Sequence, residues 1–173
     1  MLELSNKLYR WIYCLDPQAL SLYAAYVTLV FSAFCRAYSS RRWLRPLLAT
    51  ALACWLACVL WSTVLSRSAG EYRSFWVPLH TYRRVLQGDT TELLRSAIMN
   101  VVLFFPAGLL TAALMPGISL RRVLLGFALF SLGIELTQDI FMLGFAEIDD
   151  VLHNTLGAVL GCMAYRLELD IDH

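Results

Sequence analysis

Apolar segments of bilayer length dominate the chain, and short polar segments separate them. About 20 predominantly apolar residues suffice to cross a bilayer as a helix. Five stretches meet this requirement, at residues 18–38, 44–66, 94–115, 120–143 and 149–167. Before them, apolar residues recur at helical spacing within residues 1–17, which predicts an amphipathic helix at the membrane interface. The pattern therefore predicts an all-α, polytopic membrane bundle of about five transmembrane helices plus an N-terminal interfacial helix.

Three regions follow from this pattern: the interfacial segment 1–17, the first two spans within 18–66, and the remainder, 67–173. The remainder starts with a polar connector, residues 67–95, and contains the last three spans. Short turns rich in arginine flank several spans, whereas the turn 144–150 contains none. The positive-inside rule then predicts the basic turns in the cytoplasm and the N-terminus outside.

Composition narrows the class of protein. The chain has 173 residues, of which 59% are hydrophobic and only 16% are charged, whereas soluble domains carry about 25% charged residues. The length excludes a second sizeable domain. With a net charge of +1 and no soluble basic face, nucleic acid is excluded as a partner, and membrane lipids are the expected one.

Ionisable and amide side chains inside the apolar segments are the main candidates for function. Charge at membrane depth costs roughly 2.5–3.5 kcal/mol per residue, so it marks a functional site by default. The candidates lie in the third span, late in the fourth and at the start of the fifth: Asn100, Glu135, Gln138, Asp139, Asp149, Asp150, His153 and Asn154.

These candidates converge on one membrane face if the span count is correct, because span three starts where span four ends and span five begins. The connector also reaches this face and carries Arg83 and Arg84, which could face a phosphate as bidentate donors. The sequence thus predicts a shallow polar cavity that binds a ligand through these two arginines and the amides and acids Asn100, Glu135, Gln138, Asp139, Asp149, Asp150 and Asn154.

Structural explanations compete with this site. Glu135 and Gln138 could join helices by hydrogen bonds. Asp149 or Asp150 could cap the fifth span, although capping accounts for only one acid. Arg83 and Arg84 could contact lipid headgroups without forming a specific site.

Neither a metal nor another cofactor is expected. The five cysteines lie mostly in apolar segments without a neighbouring His or Asp, which is typical of packing residues. The HExxH zinc spacing is also absent. The pair Gly157 and Gly161 forms a GxxxG motif, which predicts close helix packing.

Four segments resemble the VanZ-like family of membrane proteins. Asn100–Gly108 is similar to its N-x-x-x-F-x-P-x-G segment, and Glu135–Gln138 is similar to its E-x-x-Q segment. Residues 148–158 are similar to its D-x-D-D-x-x-x-N-x-x-G signature, whose first acid falls on Glu147 or Ile148. Val77–Leu79 resembles an upstream Pro-containing element. The resemblance covers about residues 76–163.

The resemblance implies a multi-pass protein of the bacterial plasma membrane that influences susceptibility to teicoplanin-type glycopeptides. Our first hypothesis is a non-enzymatic protein that binds a lipid, a lipid-linked cell-wall precursor or a glycopeptide. A second is an intramembrane hydrolase or transferase with Glu135, Asp149, Asp150 and His153 as candidate acids and bases. A third is a small transporter, which would need an internal repeat or a path through the bilayer.

Overall fold

Helices account for most of the part of the chain that the structure describes. The computed structural model describes residues 44–68, 72–86 and 91–171; the predicted interfacial helix 1–17 and first span 18–38 lie outside them. The all-α fold is confirmed. Its elements, in chain order, are α1 (Leu44–Leu60) with a π-helical turn (Trp61–Leu65), β1 (Arg73–Phe75), α2 (His80–Leu86), α3 (Thr91–Leu114), α4 (Leu120–Phe141), β2 (Phe145–Glu147) and α5 (Ile148–Ile171).

Three of the described helices are long and apolar enough to cross a membrane: Leu44–Leu65, Leu93–Leu114 and Leu120–Phe141. They correspond to the second, third and fourth predicted spans. The fifth predicted span is also helical, as α5, but its polar first turns and Arg166 lower its hydropathy. Five membrane crossings therefore stay a prediction.

Glycines allow α3 and α5 to pack with their backbones almost in contact. A Cβ added at Gly157 would lie 2.2 Å from the carbonyl oxygen of Val101, and one at Gly161 would lie 2.0 Å from that of Phe105. The reciprocal contact is tighter still, because a Cβ at Gly108 would lie 1.8 Å from the Ala158 oxygen. The close packing predicted from the GxxxG motif is confirmed.

The apolar core lies around α3, where α1, α4 and α5 meet it. Phe104 is fully buried and packs edge-on against Phe127 of α4. The indole Nε1 of Trp55 donates a hydrogen bond of 2.9 Å to the Leu103 carbonyl, within one turn of Pro106. This bond ties α1 to α3 where the proline interrupts the helical hydrogen bonding.

A short parallel ribbon joins two segments about 70 residues apart. β1 pairs with β2 in the register Arg73↔Phe145, Ser74↔Ala146 and Phe75↔Glu147. The sequence predicts only a polar connector and a tight turn at residues 144–147 here, whereas residues 145–147 form a strand. Segments of three residues are too short to show alternation, and their pairing depends on the fold of the whole bundle.

Candidate functional site

The polar residues predicted within the spans gather at one end of the bundle. This polar end, as we call it, comprises the start of α3, the end of α4, β2 and the start of α5. The connector residues 72–86, which include β1 and α2, lie against it. The structure therefore brings together segments that the sequence placed on one membrane face.

Asp149 holds the connector in place. Its carboxylate accepts the backbone N–H of Leu79 at 2.6 Å through Oδ1 and that of Thr81 at 2.8 Å through Oδ2. Leu79 has a positive φ of 62°, which is uncommon for a non-glycine residue. Asp149 is only 1% exposed, so both of its oxygens serve to fix this turn and the start of α2. We expected Asp149 as a ligand or as the cap of its own helix, and it caps a different helix instead.

His153 is buried and only half satisfied. Its Nε2 lies 2.9 Å from the hydroxyl of Tyr82 in α2. Its Nδ1 is buried, has no hydrogen-bond partner among the described residues and lies 3.9 Å from Oδ1 of Asp150, which is beyond hydrogen-bond range. His153 is 4% exposed. A buried nitrogen without a partner is costly, so this atom is suited to a partner from outside the chain.

His153 lines a small cavity of about 30 Å³, and its Nδ1 lies on the side of Asp150, which lines the same cavity. The cavity lies between α2, the start of α3 and the start of α5, and it has two apolar walls, Leu93 and Ala97. Its polar lining residues are Thr81, Ser96, Glu147, Asp150 and His153. Ser96 is exposed and Asp150 partly exposed, so the cavity opens on their side. It has room for one or two groups the size of water.

Glu147 links this cavity to α4. Its backbone N–H donates a 2.9 Å hydrogen bond to Oε2 of Glu135, which is 2% exposed. Burial, with the nearby carboxylates of Asp150 and Asp149, raises the pKa of the Glu147 side chain above its ordinary value. Sequence reasoning did not select Glu147, although the resemblance to the acidic signature already pointed to this position or the next.

The amide side chains join helices rather than line the cavity. Asn154 donates a 2.8 Å bond to the Ser131 hydroxyl, and Gln138 donates a 2.7 Å bond to the Thr63 carbonyl in the π-helical turn. The Nδ2 of Asn100 and the Oδ1 of Asn154 are buried, and neither has a hydrogen-bond partner in the part of the chain that the structure describes. Gln138 thus has the interhelical role that the structural explanation predicted.

Asp139 and the arginines of α2 lie outside the cavity lining. The hydroxyl of Tyr72 donates a short hydrogen bond to Asp139, which raises the pKa of Tyr72. Arg83 is exposed. Arg84 is half-buried, and its positive charge partly offsets the increase in the Glu147 pKa. Of the nine predicted ligand-binding residues, only Asp150 lines the cavity itself.

Acceptors dominate the chemistry of the cavity. Two carboxylates, Glu147 and Asp150, and the imidazole of His153 surround it. Within residues 44–68, 72–86 and 91–171, no three His, Cys, Asp or Glu side chains are placed to hold a metal ion. Hydroxyl groups complete the site: Thr81 and Ser96 line the cavity, and Tyr82 contacts His153 from outside the lining. No pattern in the sequence distinguishes these three residues, since hydroxyl residues are common in turns and at helix starts.

Comparison with known proteins identifies relatives of this chain. A family model described as VanZ/LLP1 matches residues 46–169. Protein VanZ of Enterococcus faecium is 37% identical over 73 residues. That alignment covers 42% of this chain and 45% of the relative, so the match spans less than half of the relative's length. No solved structure matches this chain.

Proposed function

Because the chain belongs to the VanZ/LLP1 family, we propose that it is a multi-pass protein of the bacterial plasma membrane that binds the headgroup of a lipid or lipid-linked envelope precursor. We further propose that this binding influences susceptibility to glycopeptides of the teicoplanin type, as the family resemblance implies. The cavity lined by Glu147, Asp150 and His153 is the binding site, and α2 of the connector forms its outer wall.

One observation carries this proposal: an incompletely paired polar cluster lies beneath a connector with apolar and basic side chains on its outer surface. Large apolar and aromatic side chains of the connector are exposed, namely Tyr72, Trp76, Val77, Leu79, Tyr82 and Leu86. Trp and Tyr prefer the membrane–water interface, and arginine pairs with lipid phosphates. Such a surface favours a position at headgroup depth.

The size of the cavity limits what enters it. About 30 Å³ admits a small polar group and excludes a whole headgroup. The remainder of the ligand then lies against the connector, whose Arg83 is exposed. Headgroup binding in this arrangement uses the cavity for one group and the outer surface for the rest.

Antibiotic susceptibility tests the proposal in cells. We would express the chain in a glycopeptide-susceptible Gram-positive host and measure the minimal inhibitory concentration of teicoplanin. We expect the wild type to raise it and Asp150→Asn to return it to the value of the empty vector. Asp139→Asn is the matched control, since it removes an equal charge at the same end but outside the cavity, and it should behave as wild type. Equal susceptibility of all strains, at equal membrane levels of protein, would refute the proposal.

A hydrolase or transferase is the second candidate, and the pair formed by His153 and Asp150 favours it. An imidazole near a carboxylate can act as a general base, and both His153 and Asp150 line the cavity. Purified protein incubated with labelled envelope lipids would then release a cleaved or transferred product, and His153→Gln would abolish this turnover. Unchanged lipids after prolonged incubation would leave binding as the function.

A further inference from the structure

We propose that the cavity between Glu147, Asp150 and His153 binds a primary ammonium group, the amine of an aminated lipid headgroup. The inference rests on the proposed function and names the chemical class of its ligand. Three features of the cavity support it: its volume, its set of acceptors and its surroundings.

The acceptors match the three N–H donors of a primary ammonium. Glu147 and Asp150 each provide carboxylate oxygens, and the Nδ1 of His153 is the third potential acceptor. If the proton of the neutral imidazole is on Nε2 and is donated to the Tyr82 oxygen, Nδ1 presents a lone pair to the cavity. An ammonium ion would therefore satisfy the buried nitrogen that no group of the described chain reaches.

Charge excludes the opposite kind of ligand. Two carboxylates line the cavity, and a third, that of Asp149, is buried in the first turn of α5 and accepts two backbone N–H groups. An anion placed in the cavity would meet unfavourable charge on several sides, whereas a cation would gain charge-assisted hydrogen bonds.

Volume selects a primary over a quaternary ammonium. A cavity of about 30 Å³ holds an ammonium group, which is about the size of water, but not one with three added methyl groups. A quaternary ammonium also has no N–H to donate, and proteins bind such groups in aromatic cages. The cavity has apolar walls but no aromatic cage, because its lining residues include no Phe, Tyr or Trp.

An exposed arginine in a segment that lines the cavity suits the phosphate next to such an amine. Arg83 lies two residues after Thr81 in α2 and is exposed. Guanidinium groups bind phosphate oxygens in bidentate geometry. The exposed apolar side chains of the connector, such as Leu79 and Leu86, favour a lipid over a soluble molecule as the source of the amine.

Native mass spectrometry of the full chain in mild detergent tests this inference. The protein is mixed with phosphatidylethanolamine, phosphatidylcholine and phosphatidylglycerol of identical acyl chains. We expect preferential retention of phosphatidylethanolamine. Asp150→Asn and Glu147→Gln should each reduce that preference about tenfold, the factor for one charge-assisted hydrogen bond. Asp139→Asn should retain it.

A further variant tests the cavity without altering its charges, in case the charge variants fail to fold. Ala97→Val narrows the cavity without changing a charge, and it should also reduce retention of phosphatidylethanolamine. Free phosphoethanolamine is added in a separate arm. If it displaces the lipid at equal concentration, the ammonium site stands and its source is a soluble amine.

Two outcomes would overturn the ammonium site. Equal retention of phosphatidylethanolamine and phosphatidylcholine would show that the amine is not recognised. A preference for phosphatidylglycerol would show that the arginines alone direct binding. Either result would leave headgroup binding intact, whereas retention of none of the three lipids would contradict the proposed function as well.

Discussion

The middle of the α3–α5 contact and the polar end are built by opposite means. In the middle, Gly108, Gly157 and Gly161 bring the two backbones together, and no side chain intervenes. At the polar end, side chains from four chain segments meet, and one buried polar atom in each of Asn100, His153 and Asn154 has no hydrogen-bond partner within residues 44–68, 72–86 and 91–171. Close packing stabilises a membrane bundle, whereas unpaired polar atoms destabilise it.

This difference separates stability from function. The contacts of the middle are backbone against backbone, and they explain how α5 is held. The polar end combines one well-paired carboxylate, Asp149, with a cavity whose acceptors are left open. A structure selected for stability alone would fill or pair these atoms, so the cavity is where we place the binding site.

The largest effect should come from adding a methyl group in the middle. Gly108→Ala would place a Cβ 1.8 Å from the Ala158 oxygen, which the backbone can accommodate only by separating the helices. Overpacking typically costs about 1–3 kcal/mol, and we expect the upper part of that range or loss of the folded protein. Thermal unfolding in detergent measures it. Gly126→Ala is the control, because its Cβ meets nothing within 4 Å; an equal effect of both changes would contradict the packing role.

Removal of the Asp149 charge should have the next largest effect. Asp149→Asn replaces one acceptor oxygen by an NH₂ group that would face a backbone N–H. Loss of a hydrogen bond to a charged group costs about 1.5–3 kcal/mol. Hydrogen exchange should accelerate in residues 79–86 more than in the α3–α5 contact. Uniform acceleration, or none, would mean that Asp149 does not anchor the connector.

Removing the hydroxyl group of one tyrosine at a time should show that a hydrogen bond to a buried group contributes more to stability than an exposed one. Tyr82→Phe leaves Nε2 of the buried His153 without its partner, which should lower the free energy of unfolding by about 1–3 kcal/mol. Tyr72→Phe removes an exposed bond to Asp139 and should have a smaller effect. Chemical denaturation of both variants makes the comparison, and a larger loss from Tyr72→Phe would reverse our ranking of the two contacts.

The smallest effect that we expect is on how the stability of the folded protein depends on pH. Since the pKa of Glu147 is raised in the folded state, its protonated form favours folding. That contribution is fully present below the ordinary value of 4.5 and is lost as pH rises through the folded-state value. The melting temperature of Glu147→Gln relative to wild type should therefore increase with pH above that ordinary value. A difference that does not vary with pH would contradict the raised pKa.

The sequence was sufficient for the helices and for the gathering of polar residues at one end. The lengths of the apolar segments predicted α1, α3 and α4. Because the fourth span ends on the membrane face where the fifth begins, Glu135 was expected near Asp149 and Asp150. The partners of these residues were not predictable, because they come from the connector. The contact of Tyr82 with His153 and the capping of α2 by Asp149 depend on how residues 72–86 fold across the bundle, where no periodicity guides the assignment.

A distance measurement tests the central claim most directly. The full chain, with ¹³C-labelled Asp and Glu carboxyl groups, would be placed in bilayers of phosphatidylethanolamine with a ¹⁵N-labelled amine and studied by solid-state NMR. We predict dipolar coupling between that nitrogen and a protein carboxylate, at an N···O separation of about 2.8 Å. The coupling should be weaker in Asp150→Asn, where Glu147 is the remaining carboxylate of the cavity, and unchanged in Asp139→Asn. A coupling of undiminished strength in Asp150→Asn, or one absent from the wild type, would contradict the account.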